Sequence, residues 1–336
     1  MTSLAVQACG MTTAIGLTAP AAAAAQRARL SNFEETTFVS RNEEPMIGSQ
    51  VPFDPPLDGR DRLQALLAGP LSECYAALGD IAAQDVPVLL CVAENDRPGR
   101  VEGVDASLLH DTLKALNVPA NDKNSVIPYG RVGGMVALRD ARKLISEGAP
   151  KVIVAGVDSF LVAQTLAHYD QDDRVLTQTN SDGFPAGEAG AAVVLGRPTS
   201  DGLTLLGLGF GREAAHITSG EPTRAEGLVL AMRAALSEAG LDLSAVDYRI
   251  SDLNGEQYYF KEAALAMTRV LRKKAEQMDL WNPASEFGYA GAANVPLMLG
   301  LGLIAGQKRY APGRTVMLQT SDDDGRRGTA ILRMEG

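Results

Sequence analysis

Apolar residues in the stretch GMVALRDARKLISEGAPKVIVAGVD, residues 134 to 158, recur at helical spacing through Met135, Leu138, Ala141, Leu144 and Ile145 and stop at Gly148. That spacing predicts an amphipathic helix, and the apolar run KVIVAG behind it predicts a strand covered on both faces. The same order returns near the C-terminus in GYAGAANVPLMLGLGLIAGQKRYAPGRTVMLQTSDDD, from a glycine-rich lead through an apolar helix to TVMLQT. A second order, helix then loop then strand then acidic turn, also occurs twice, in AGPLSECYAALGDIAAQDVPVLLCVAEND and in LVLAMRAALSEAGLDLSAVDYRISDLNGE. Even the closing runs agree in form, DGFPAGEAGAAVVLG in the first half and DGRRGTAILRM in the second. One unit present in two copies is the simplest account.

Strands alternating with helices predict parallel sheets covered by helices, and two such halves pack as one layered α/β/α/β/α body. The turn residues of RPTSDG, 197 to 202, place the boundary, giving an N-terminal half over 1–200 and a C-terminal half over 201–336 of one compact body. Residues 31–60 are polar and carry prolines, which predicts a surface excursion between the first helix and the next.

Composition narrows the function classes. The chain has 336 residues, 46% of them hydrophobic, enough for a large core. Its formal charge is −10 and its basic residues are scattered, so nucleic acid and anionic membranes are poor partners. No segment approaches the roughly 18 to 20 unbroken apolar residues of a membrane span. The apolar N-terminus lacks a basic residue before Arg27 and is interrupted by Gln7, Thr12 and Thr13, unlike a secretory signal. Three cysteines, Cys9, Cys74 and Cys91, show no CxxC spacing, which fits a reducing cytoplasm and argues against a disulfide framework or a metal site. GFGREAAH lacks the GxGxxG pattern, and Asp322, Asp323 and Asp324 with Gly325 read as a solvated turn, so no cofactor or metal is expected.

With these features laid end to end, the chain resembles the thiolase superfamily, and within it the β-ketoacyl synthase branch, over nearly its whole length. VQACGMTTAIG is similar to that family's first strand and turn, VIVAGVDS followed by DGFPAGEAGAAVVL to its mid-chain signature, and LGLGFGREAAHITSGEPTRAEGLVLAMRAALSEAGLDLSAVDY to the start of its second half. The resemblance implies a duplicated thiolase-like fold, a dimer, a pocket where the halves meet and a role in fatty acid or polyketide biosynthesis. It also implies a cysteine nucleophile at the start of the first buried helix, where the helix dipole favours a thiolate, and two histidines that assist decarboxylation and stabilise developing charge.

All three positions depart from the family pattern. Aligned on VIVAG, the nucleophile position falls at Arg131, and no cysteine follows Cys91. The first histidine falls at Asn254 in DLNGEQYYFKEA and the second at Tyr289 in EFGYAGAAN, while SDDDGRRGT replaces the glycine-rich gate. His110, His168 and His216 lie outside these motifs. Two readings follow. In the first, the chain is a non-condensing relative that acts as a binding or partner subunit, like a chain-length factor or an accessory adaptor. It then forms a homodimer, or a heterodimer with another thiolase-fold subunit, with an acyl carrier protein as a further partner. In the second, it is an acyltransferase with a rewired site, in which Ser125, Tyr129 or Glu256 substitutes for the lost groups and Glu256 or Glu286 serves Ser125 as base. Arg131 then either binds a carboxylate or phosphate, or pairs with Asp322, Asp323 or Asp324.

Overall fold

The computed structural model describes residues 3–273 and 278–335. The first half runs β1 (Leu4–Thr13), α1 (Ala19–Arg27), β2 (Glu34–Val39), β3 (Pro45–Ser49), α2 (Gly59–Ala76), β4 (Val88–Cys91), α3 (Ala106–Ala115), β5 (Ser125–Ile127), α4 (Gly133–Ser146), β6 (Val152–Ser159), α5 (Ala163–Gln171) and β7 (Ala186–Gly196). The second runs β8 (Leu203–Arg212), α6 (Glu226–Ala239), β9 (Tyr248–Ser251), α7 (Gln257–Val270), β10 (Asp279–Trp281), α8 (Ala284–Phe287), α9 (Asn294–Gln307), β11 (Thr315–Ser321) and β12 (Arg326–Met334).

The strands follow the path β10-β9-β11-β12-β8-β1-β7-β6-β4-β5. Leaving out the β2–β3 hairpin and numbering the strands of each half from one, both halves read 3-2-4-5-1 from the outer edge inward. The central strands of the two halves pair through Leu4–Val6 of β1 against Leu203–Leu205 of β8. The two sheets then close on each other around α4 and α9. Met135 and Leu138 of α4 share one core with Val295 and Leu299 of α9, Val154 of β6 and Leu318 of β11. Helix α9 is apolar on nearly every side and touches β1, β6 and β7 as well as β8, β9, β11 and β12, as a helix between two sheets must. α2 and α3 cover the outer face of the first sheet; α6 and α7 cover that of the second. This is the five-layer α/β/α/β/α arrangement, and it belongs to the α/β class.

The expectation of purely parallel sheets needs correction. β4 is parallel to β5 and β6, and β9 to β10 and β11, but β7 runs antiparallel to β6 and β1, and β12 antiparallel to β11 and β8. The reason is the connection. The Asp322–Gly325 turn reverses the chain directly between β11 and β12, and no helix crosses back over the sheet to restore its direction. Residues 31–60 are likewise more than a surface loop, because β2 and β3 form a hairpin and Gly48 and Ser49 pair with Ala186 and Gly187 of β7. The five exposed residues 197–201 connect β7 to β8.

Two local devices set the close packing. Gly207, Gly209 and Gly211 alternate along β8 toward α6, where a methyl group on each would lie 2.0, 2.0 and 1.9 Å from the carbonyl oxygens of Ala235, Ala231 and Gly227. In DGFPAGEAGAAVVLG, Glu188 is fully buried on β7. Its carboxylate accepts from Arg62 Nε at 2.8 Å, from the Val51 amide at 2.8 Å and from the Ser159 hydroxyl at 3.0 Å. Every one of its contacts is structural, tying α2 and the loop after β3 to the central sheet.

Candidate functional site at the start of the central helix

A tight turn carries the chain from β5 into α4. Gly130 takes φ +48° there, and a Cβ at this position would lie 1.7 Å from Glu94 Oε1, so only glycine fits. The turn before α9 is its counterpart: Gly291 also has φ +48°, and its Cβ would lie 2.1 Å from Asp158 Oδ2. The residue after each glycine stands at the head of a central helix, Arg131 in one half and Ala292 in the other.

Arg131 is 3% exposed. A cation at a helix N-terminus faces the positive end of the dipole and has lost its water, so it needs anions close by. Asp323, from the β11–β12 turn, supplies one in direct contact, and Asp322 Oδ1 stands 3.9 Å from Nε. The guanidinium lies against the rings of Tyr259 and Tyr289, at 4.9 and 5.1 Å from their centroids, and donates to the Tyr259 hydroxyl at 3.0 Å.

Asp323 is shared. Arg174 approaches it at 2.9 and 3.0 Å, Tyr169 donates at 3.2 Å, and Tyr259 donates as well. Burial alone would raise this carboxyl, but Arg131 and Arg174 outweigh it and hold it well below the usual carboxylate range. Arg174 also grips Glu256 through two bonds of 2.6 and 2.9 Å, and the Asn254 side-chain amide donates to Glu256 at 2.5 Å. A second knot adjoins the first: Arg97 pairs with Glu94 at 2.7 Å and with Asp158 at 2.7 Å, and Asp158 accepts the Ala292 amide at 2.9 Å.

Arg131, Asn254, Glu256 and Tyr289 are thus brought together where the two halves meet. Most of their polar groups are taken up: Asp323 and Glu256 are bound to arginines, and the Tyr289 ring packs on Phe160 and Phe184 at centroid distances of 5.0 and 5.4 Å, although its hydroxyl is buried without a hydrogen-bond partner among the described residues. Ser125 is not part of this group. It stands exposed on edge strand β5 and lines a separate surface hollow with His110 and Asn124, while Glu256 is held by Arg174 and Glu286 pairs with Arg29 at 3.1 Å. Tyr129 is 45% exposed with Arg326 stacked over its ring at 4.8 Å, so it faces outward although it neighbours the turn. Of the aspartate triplet only Asp324 is exposed, pairing with Arg326 at 2.7 Å, whereas Asp322 and Asp323 turn inward to Arg131, so the triplet is not the solvated turn expected from the sequence. His168 lies against Tyr169 and His216 bonds Thr218.

No thiol stands ready either. Burial, with Glu73 adding to it, pushes Cys9 up to about 12, and burial drives Cys74 and Cys91 higher still. Cys91 sits fully buried on β4, beneath Gly133 at the head of α4.

Asp252, just after β9, adds a measurable consequence. Burial pushes its carboxyl up to about 7, against the pull of Arg131, while it accepts the Ser321 amide at 3.0 Å. A raised carboxyl holds its proton in the folded state after the unfolded chain has released it, so its contribution falls as pH rises from about 4 to about 7. Asp252→Asn is expected to flatten that part of the stability-against-pH curve. Urea unfolding at intervals across the range checks it, and an unchanged slope would refute the assignment.

Arg174, Tyr259, Arg97 and Asp158 were not legible as site residues. Arg174 follows three acids in DQDDR, the one local hint that a cation there has work to do.

No family profile matches the chain. A curated relative, actinorhodin polyketide beta-ketoacyl synthase 2 of Streptomyces coelicolor, is 25% identical over 248 residues, covering 62% of this chain and 61% of the relative. Among solved structures, a type II polyketide acyl-carrier protein in complex with its ketosynthase, bound to the hexaketide, superposes with a TM-score of 0.82 at 15% identity, over 99% of each chain. The chain has the thiolase-like fold of the ketosynthases. The ishigamide ketosynthase/chain length factor gives 0.77 at 16% identity over 100% of each chain. A ketosynthase in complex with its chain length factor from Xenorhabdus doucetiae gives 0.75 at 15%, over 99% of this chain and 98% of the other. On this β-ketoacyl synthase-like fold the Arg131 group occupies the meeting of the halves. The chain spans about three fifths of the curated relative's length. Among the described residues, no helix is long and apolar enough to cross a membrane.

Proposed function

We propose that this chain is a β-ketoacyl synthase-like subunit that does not condense acyl units, and that it acts by pairing with a second thiolase-fold subunit in the manner of a chain-length factor. The observation that carries this is Arg131. The position that the resemblance gives to the nucleophile holds a guanidinium, which can neither attack a thioester nor be deprotonated to do so. Asp323 and Tyr259 already take the donors of its Nη2. Asn254 and Tyr289, at the positions of the two histidines, are engaged with Glu256 and with aromatic neighbours. A thiolase-fold subunit with a closed site retains its surfaces, and complexes of a ketosynthase with its chain length factor support the pairing.

The test has two arms. The purified chain is incubated with malonyl and medium-chain acyl thioesters of coenzyme A and of acyl carrier protein, and its intact mass is measured. The expected mass is unchanged; a covalent acyl adduct would overturn the non-condensing reading. Native mass measurement of the chain alone, and after co-expression with an active ketosynthase of the same fold, is expected to show a dimer in at least one case. A monomer in both removes the pairing role.

A further inference from the structure

On the side of the molecule where the C-terminal end of α1 meets edge strand β10, a hollow of about 300 Å³ is lined by Gln26, Arg27, Arg29, Asp279, Trp281 and Tyr310. That volume is at the small end of ligand pockets and suits one aromatic ring with its substituent. Trp281 and Tyr310 lie near parallel, 21° between planes and 6.3 Å between centroids, so together they present a flat aromatic wall. The Arg27 guanidinium stacks over Tyr310 at 4.6 Å. It has no carboxylate partner among the described residues, so its donors are free. Arg29, at the rim, has one, Glu286 at 3.1 Å, and its side chain stays 63% exposed. Arg29 is thus already answered by Glu286, which leaves Arg27 as the cation in the hollow to which an anion would turn.

Gln26 adds an independent observation. It is 4% exposed and lines the hollow, and its side-chain amide makes no hydrogen bond among the described residues. The amide is not sealed from the solvent of the hollow, so its donors and acceptor are available to a ligand oxygen.

We propose that this hollow binds a planar aromatic anion, a ring carrying a carboxylate or a phosphate. The ring packs on Trp281 beside Tyr310, the anion takes the free donors of Arg27 with Arg29 beyond it, and the Gln26 amide meets the substituent. The site is independent of the Arg131 group and of the pairing role.

Trp281 is the single tryptophan of the chain, so its fluorescence reports on this hollow alone. The full chain is titrated with benzoate and phenyl phosphate as ring-bearing anions, benzyl alcohol as the ring without charge, and acetate and inorganic phosphate as charge without the ring; calorimetry repeats the series free of optical artefacts. Benzoate or phenyl phosphate is expected to saturate at least about tenfold more tightly than any of the three controls, since a charge-assisted contact is worth that much. Which of the two binds more tightly tells a carboxylate source from a phosphate source. Arg27→Gln and Arg27→Glu, both at an exposed position, are expected to abolish that preference while leaving benzyl alcohol unchanged. Benzyl alcohol binding as tightly as benzoate, no saturation by about 10 mM, or full preference retained in both Arg27 variants would overturn the proposal.

Discussion

Asp323→Ala is expected to destabilise the protein by about 3–5 kcal/mol at neutral pH, among the largest losses any single side-chain truncation here can produce. The substitution leaves Arg131 buried, with Asp322 at 3.9 Å as the one remaining ion-pair partner among the described residues, and removes half of the anionic partners of Arg174. Asp323→Asn keeps the size but not the charge, so it separates lost packing from lost pairing and is expected to recover little. The double variant Arg131→Met with Asp323→Leu removes both charges together and is expected to lose much less than Asp323→Ala, because an apolar pair does not leave an ion stranded. Urea unfolding measures all three. Losses under about 0.5 kcal/mol for Asp323→Ala, the size of an ordinary surface change, would mean that water reaches the arginines and that the site is open. The pH dependence has a definite sign. A carboxyl held below its unfolded value contributes stability above that value and loses it as pH falls toward the folded one, so wild type and Asp323→Ala should converge in acid.

Gly209→Ala is expected to cost about 3 kcal/mol, at the upper end for overpacking. The added methyl would lie 2.0 Å from the Ala231 carbonyl oxygen and 2.6 Å from the Ala235 amide nitrogen. Both are backbone atoms of α6, so no rotamer relieves the clash and the helix must lift from β8. Gly207 and Gly211 flank it with the same contact on either side, which spreads the displacement along the helix. Leu230→Ala, on the exposed face of α6, is expected to change stability by less than about 0.5 kcal/mol. Thermal unfolding of the two variants side by side checks the contrast, and equal effects would show that the close approach is not what seats α6.

The sequence pattern and the structure agree wherever local periodicity carries the information. The helix read from Met135 to Ile145 lies inside α4, KVIVAG but for its lysine lies in β6 and TVMLQT lies in β11, because helix and strand periods are properties of neighbouring residues. Strand direction was not legible, since whether β7 returns antiparallel depends on the path of the chain between β6 and β7 and not on the strand itself. The site was legible only in part. Arg131, Asn254 and Tyr289 could be placed through the resemblance, but the partners that fix their chemistry come from distant segments, Asp323 lying 192 residues from Arg131 and Arg174 lying 82 from Glu256. Ser125 was misleading for the same reason: six residues before Arg131, it faces out from an edge strand while Arg131 turns inward.

Helix α9 gives the chain a timetable as well as a core. Its apolar surface covers the inner faces of β1, β6 and β7, yet it ends at Gln307 of 336 residues. As the chain leaves the ribosome, β7 is finished at Gly196 but α9 begins only at Asn294, so the apolar surface that α9 seals stays uncovered while nearly a hundred further residues are made. The duplication therefore does not produce two modules that ripen one after the other; the first half matures only once α9 of the second has been made, and a message cut short before α9 yields a sticky product rather than half a protein.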